Sequence, residues 1–177
     1  KHRLAIYTFG NASAADHDNR VFAIKPSGVP YDKLTPENMV IVGFDGKTVE
    51  GDLRPSSDTR THAVLYRAFG SIGGVVHTHS PYAVGWAQAQ QPVPIFGTTH
   101  ADHLAADIPC TPLMDDEKIK GDYEEETGNL IVETFEKLSC EDIPMVLVAG
   151  HGPFTWGKTA DKAVYNSVMC EELAKMA

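Results

Sequence analysis

Short apolar runs, closed by glycine, proline or aspartate, recur along the chain and carry two different periods. "RVFAIKPSG" reads as a short strand followed by a glycine turn. In "TPENMVIVGFDGKTVEG" two β-rich runs flank Asp45-Gly46, a pair that favours a tight hairpin. "SSDTRTHAVLYRAF" predicts a helix: Ser57 or Asp58 can cap it, and Ala63, Leu65, Tyr66 and Phe69 supply an apolar side. "GGVVHTHS" predicts a strand leaving the core, and "PYAVGWAQAQ" a helix opened by proline. "ETGNLIVETFEKL" predicts a helix with acidic residues near its start. "IPMVLVAGHGPF" is a second apolar strand, ending in Gly-His-Gly, and "TADKAVYNSVMCEELAKM" a last amphipathic helix.

Strands and helices alternate without an internal repeat, and the strands include a hairpin. This predicts an α/β fold: one layered domain over residues 1–177, with a central, mostly antiparallel or mixed sheet flanked by helices. The chain opens at Lys1 without Met and stops inside a predicted helix, "EELAKMA". It therefore reads as a piece of a longer polypeptide that lacks an N-terminal start and a C-terminal segment.

Composition narrows the function. A content of 42% hydrophobic and 22% charged residues is that of a soluble globular protein. A net charge of −9 argues against non-specific nucleic-acid binding, because an acidic surface repels phosphate backbones. A small phosphorylated molecule is still allowed, since it needs only a local pocket of amides and a cation. Cys110, Cys140 and Cys170 are widely spaced and odd in number, which suits free thiols in a reducing compartment. No apolar run reaches membrane-span length, and no signal-peptide pattern opens the chain. The expected location is the cytoplasm, with no membrane partner.

The candidate chemistry starts at His77 and His79. In a strand, residues i and i+2 share a face and lie roughly 6.5–7 Å apart, so two imidazoles can converge on one metal ion. The plain alternative is a pair of hydrogen-bonded histidines at a strand end. His151, between Gly150 and Gly152 at the end of another apolar strand, would by itself read as a turn histidine, but together with His77 and His79 it tips the balance toward metal. Three protein ligands and an open position are usual for a catalytic zinc site. Asp58 is either an ordinary residue at a helix start, or a carboxylate that ligates the ion or moves a proton beside it. "GTTHADH" reads as a polar loop. Asp102 could serve as a general acid/base and His100 as a fourth ligand, or the whole stretch could be solvated. "TFGNAS", "KPSG" and "PSSD" each offer small residues with free amides or hydroxyls, one beside Lys25, as a phosphate monoester requires. No Walker A loop or GxGxxG motif is present, so no nucleotide site is indicated. His62, one turn after Asp58, could hydrogen-bond near the site but reads rather as a helix-surface residue, and "DYEEET" as a solvated helix start.

Taken in order, "FGNASAAD", "IKPSGVPY", "RPSSDTRTH", "GGVVHTHS", "GTTHADH", "IPCT", "ETGNLIVETF" and "HGPFTWG" resemble the class II aldolase/epimerase family, from about Tyr7 to the end. The resemblance implies a zinc ion held by His77, His79 and His151, with Asp58 at the fourth position. Manganese or cobalt would suit the same donors. It also implies a substrate and phosphate site lined by Gly10, Asn11, Lys25, Ser27, Gly28, Ser56 and Ser57, with Asp102 as acid/base. "SSD" together with "THAD" favours epimerase over aldolase, because related aldolases carry Glu after the paired serines. The implied activity is epimerisation at C4 of L-ribulose 5-phosphate to D-xylulose 5-phosphate by retro-aldol cleavage and re-addition. An aldolase or dehydratase acting on a related ketose phosphate is the nearest alternative, and a non-catalytic, protein-binding homologue a more distant one. The resemblance further implies a homotetramer with sites at subunit interfaces. The family's epimerases also use a tyrosine near their C-terminus; no residue here matches it, and neither Tyr123 nor Tyr165 lies in the corresponding motif.

Overall fold

The structure is a computed structural model that describes His2 and residues 4–177. In chain order the elements are β1 (Asn11–Asp16), β2 (Val21–Ile24), β3 (Val40–Gly43), β4 (Thr48–Glu50), α1 (Thr59–Ala68), β5 (Gly74–His77) and α2 (Pro81–Gln88). They continue with α3 (Thr98–Ala101), α4 (Asp116–Lys120), α5 (Tyr123–Thr134), β6 (Met145–Val148), β7 (Gly152–Gly157) and α6 (Ala160–Met176). The strands form one seven-stranded sheet in the order β4-β3-β2-β1-β5-β7-β6, and every neighbouring pair is antiparallel. The expected α/β fold is thus present, with a sheet at the antiparallel end of the expectation.

Both faces of the sheet are covered, which explains the unbroken apolar runs. Along β6, Val146 and Val148 join the cluster under α1 and α5, while Met145 and Leu147 join the cluster under α2 and α6. A strand buried on both sides has no polar face to alternate with. In the first cluster, Phe22, Ile24, Leu65, Ile131 and Phe154 are fully buried. Each such burial stabilises by roughly 1.5–3 kcal/mol. Helix α5 lies close on α1 because Gly128 has no side chain: a Cβ there would sit 2.6 Å from Val64 Cβ. On the other face, the buried Glu171 of α6 accepts hydrogen bonds from Tyr82 N (3.1 Å) and Ala83 N (2.9 Å). It thereby satisfies two free amides in the first turn of α2.

Strand register places the candidate chemistry. Asn11 on β1 pairs with His77 on β5, and His77 pairs with Phe154 on β7. These three side chains form a row across the sheet on the α1/α5 face. One row further in stand Ser13, Val75 and Trp156.

Four local expectations change. The "NAS" of "TFGNAS" opens a strand, β1, and is not only part of a turn-like cradle. His79 lies two residues past the end of β5. His151 occupies the turn between β6 and β7 and does not end a strand. Within "GTTHADH", residues Thr98–Ala101 form one helical turn.

Candidate metal centre and phosphate cradle

His77 is buried at the last position of β5. Its ring stacks on Phe154 (centroids 4.2 Å apart), and its Nδ1 donates to Pro153 O at 2.9 Å. That bond fixes the proton on Nδ1 and leaves a bare lone pair on Nε2. The loop after β5 folds His79 back, so that its Nε2 lies 2.9 Å from His77 Nε2, closer than continued strand geometry would bring it. His151 completes the group, its ring centroid 4.6 Å from that of His77 and 5.2 Å from that of His79. One donor atom from each of the three lies within 4.8 Å of the others. Two nitrogen lone pairs facing each other at such a distance repel, so a proton or a metal ion must lie between them.

Charge favours the metal. Burial holds His77 well below the ordinary imidazole range, and repulsion from His151 and His79 lowers it further. Burial also lowers His151, against the opposing pull of the Asp58 carboxylate. His77 and His151, both held toward the neutral form, fit a divalent cation, which needs deprotonated ligands.

Asp58 immediately precedes α1 but makes no capping hydrogen bond. Its Oδ2 instead accepts from Asn11 Nδ2 at 2.5 Å, and the side chain borders the cavity with the histidines. The carboxylate therefore faces the site and not its own helix. It stands beside the three-histidine group, outside the set of donors that converge. Gly10, with φ +72°, precedes Asn11, and a Cβ there would lie 2.7 Å from His77 O. Only glycine lets this segment pass so close to the strand that carries His77.

The cavity, about 390 Å³, is large enough for a small metabolite. It is bordered by all seven residues expected at the phosphate site and by the four expected metal ligands. Lys25 is buried, and burial lowers its pKa. Its ammonium donates to Pro26 O (3.0 Å) and Thr8 O (3.4 Å) and lies 5.1 Å from the centre of the Tyr31 ring. A cation satisfied by neutral carbonyls retains its full charge for an incoming anion. Ser27 and Gly28 border the same cavity as Ser56 and Ser57; the two segments run side by side, joined by Ser27 N to Arg54 O (2.9 Å) and Ser56 N to Lys25 O (3.1 Å), and the second leads into α1.

Asp102 is not brought into this cavity. It is exposed at the end of α3. His100 is buried with Nε2 unpartnered, and it does not join the three histidines. His103 is tied to Thr99 O (2.8 Å) and the Tyr165 hydroxyl (2.9 Å).

Two residues, one behind the cavity and one at its border, are placed differently from the leading reading of the sequence. His62 is fully buried, not on the helix surface. Its Nδ1 lies 2.7 Å from Ser13 Oγ, which in turn lies 2.7 Å from the Tyr66 hydroxyl. Its Nε2 is unpartnered, and burial pushes its pKa down to about 3. The signal was available: His62 stands four residues before Tyr66, which was assigned to the apolar side of the same helix. Tyr123, the first residue of α5, also borders the cavity, with its hydroxyl 3.2 Å from His151 Nδ1. "DYEEET" hid it because acidic neighbours make the stretch read as solvent-facing.

L-ribulose-5-phosphate 4-epimerase UlaF of Salmonella paratyphi C (strain RKS4594) is 50% identical over 177 residues, covering 100% of this chain and 78% of the relative. The protein of the same name from Salmonella typhi is 49% identical over the same span, with the same coverage. Among solved structures, an L-fuculose 1-phosphate aldolase superposes with a TM-score of 0.81 at 24% identity, covering 98% of this chain and 76% of the other. The L-fuculose-1-phosphate aldolase of Thermus thermophilus gives 0.74 at 23% identity, covering 98% and 84%. The sequence model described as the class II aldolase and adducin N-terminal domain matches residues 1–177. With a match over its whole length and relatives at half identity, the chain belongs to the class II aldolase and adducin N-terminal domain family.

Proposed function

We propose that the protein epimerises L-ribulose 5-phosphate at C4, giving D-xylulose 5-phosphate, with a divalent metal ion at His77, His79 and His151. The observation that carries this reading is one cavity that joins three converging imidazoles to an anion cradle containing the buried Lys25. Relatives at 50% and 49% identity bear the name of this epimerase.

C4 carries no acidic proton, so its configuration cannot be inverted by simple deprotonation. The ketone at C2 permits another route, in which the C4 hydroxyl loses its proton and the C3–C4 bond breaks, the electron pair remaining on the three-carbon fragment. When bound, the metal ion supplies a Lewis acid that stabilises the negative charge developing at the C2–C3 end. Lys25, Ser27, Gly28, Ser56 and Ser57 hold the phosphate, so glycolaldehyde phosphate stays in place while its carbonyl turns. Bond formation on the other face, with return of the proton, completes the inversion. Gly10 and Asn11 line the sugar, and Asn11 orients Asp58, which is the proposed fourth ligand. Asp102 is the proposed acid/base on one face of C4. Zinc is the proposed ion; manganese or cobalt would suit the same donors. The proposed assembly is a cytoplasmic homotetramer with sites at subunit interfaces. Phe9, 55% exposed beside the cavity, and Phe96, 74% exposed just before α3, are apolar surfaces that a second copy would cover.

The test is incubation of the zinc-loaded protein with L-ribulose 5-phosphate. D-xylulose 5-phosphate should form as the main product. Accumulation of free dihydroxyacetone and glycolaldehyde phosphate in its place would make the protein an aldolase.

A further inference from the structure

Tyr123 has no part in the chemistry proposed above, yet its hydroxyl lies 3.2 Å from Nδ1 of His151, with the two rings tilted and 5.9 Å apart. We infer that Tyr123 is a positioning residue for the metal centre: its hydroxyl oxygen accepts the Nδ1 proton of His151 and so selects the tautomer whose Nε2 lone pair is free for the ion. This rests on the metal reading given above.

His77 and His151 differ in what holds their second nitrogen. His77 has a backbone carbonyl, that of Pro153, on Nδ1. That acceptor has no proton to give, so it allows only one tautomer. His151 sits in a turn flanked by Gly150 and Gly152, and the polar group on its Nδ1 is the Tyr123 hydroxyl. A neutral imidazole without such a partner divides between two tautomers, and one of them places a proton where the metal must bind. A phenol hydroxyl can accept that proton in a hydrogen bond.

The tyrosine is delivered on a braced element. The Asp122 side chain accepts from Glu125 N at 3.3 Å and pairs with Arg60 of α1. Thr61 Oγ1 of α1 donates to Glu124 O at 2.6 Å. With Gly128 packed against Val64, these contacts fix the first turn of α5 on both sides of Tyr123. An outer partner acts on a ligand only when it is itself held in place.

The test uses Tyr123→Phe, which retains the ring and removes the hydroxyl. Competition with a chromophoric chelator should show zinc held roughly 10–100-fold more weakly than in the unsubstituted protein, the range found for loss of an outer partner of a metal ligand. Unchanged affinity would overturn the inference. His77→Asn in the same assay checks the reading beneath it: full zinc retention there would remove the metal site itself, whereas zinc loss in His77→Asn with none in Tyr123→Phe would remove only the positioning role. Long-range 1H–15N correlation spectra of the metal-free, unsubstituted protein give a second readout that no substitution can disturb. His151 should carry its proton on Nδ1, and a predominant Nε2–H form would overturn the inference.

Discussion

The two stretches that carry most of the proposed chemistry are held in opposite ways. His77 is locked by strand pairing on both sides, by stacking on Phe154 and by a bond to Pro153 O. Asp102 follows a single helical turn, is exposed and lies outside the cavity. The first environment fixes an atom through the core of this chain, because moving His77 would unpair a central strand. The second leaves its carboxylate to be placed by whatever meets that surface. The three histidines thus converge within the folded chain, whereas Asp102 does not reach their cavity within it.

Breaking the locked side should have the largest effect. His77→Asn should abolish stoichiometric zinc binding and, with it, epimerase activity, a loss beyond the roughly 10–100-fold expected for an outer partner. Metal analysis after gel filtration reads it directly, and full stoichiometry in the variant would show that the central row does not hold the ion. Asp102→Asn should act on the other side alone. Turnover should fall by roughly 100–10,000-fold, the usual span for a general acid/base, with zinc content unchanged. Loss of zinc without a matching loss in turnover per bound ion would erase the contrast between the regions.

The smallest effect concerns the buried side of the site. His62 is pushed from 6.5 down to about 3. As pH falls through 6.5, the unfolded chain takes up a proton at His62 that the folded chain refuses until about 3. The unfolded state then binds more protons, so stability falls with falling pH, by up to about 1.4 kcal/mol per unit from this group. His77 and His151, also lowered by burial, act in the same direction. Urea midpoints between pH 7 and pH 5 should therefore decline less steeply in His62→Gln than in the unsubstituted protein. Parallel declines would show that His62 is not the buried neutral ring described.

Much of this was legible beforehand, for identifiable reasons. Asp45-Gly46 marked its hairpin because few pairs tolerate that turn: Gly46 has φ +81°. The helix from Thr59 was legible because Ala63, Leu65, Tyr66 and Phe69 share a side, and all four are buried. The three histidines stood out because polar rings at the ends of apolar runs need a reason to be there. β1 was missed because "NASAAD" is small and polar; it pairs through its backbone with β2 and β5, not through an apolar stripe. Tyr123 was missed because nothing local marks it. Its role arises where the start of α5 meets the turn between β6 and β7.

The sequence by itself determined the periods of the elements, the chemical types at the site and, through its ordered motifs, the family. Those are properties of neighbours along the chain, and short-range sterics and hydrophobic spacing are sufficient to write them. Tertiary structure alone decided which of those residues share a space. It brought His151 to within 4.6 Å of the ring of His77, turned Asp58 away from its helix toward Asn11, and set a tyrosine hydroxyl behind a ligand. It left Asp102 outside. The physical reason is that convergence of lone pairs and charges depends on strand order and helix docking, which join residues far apart in sequence and are fixed only when the whole sheet is paired.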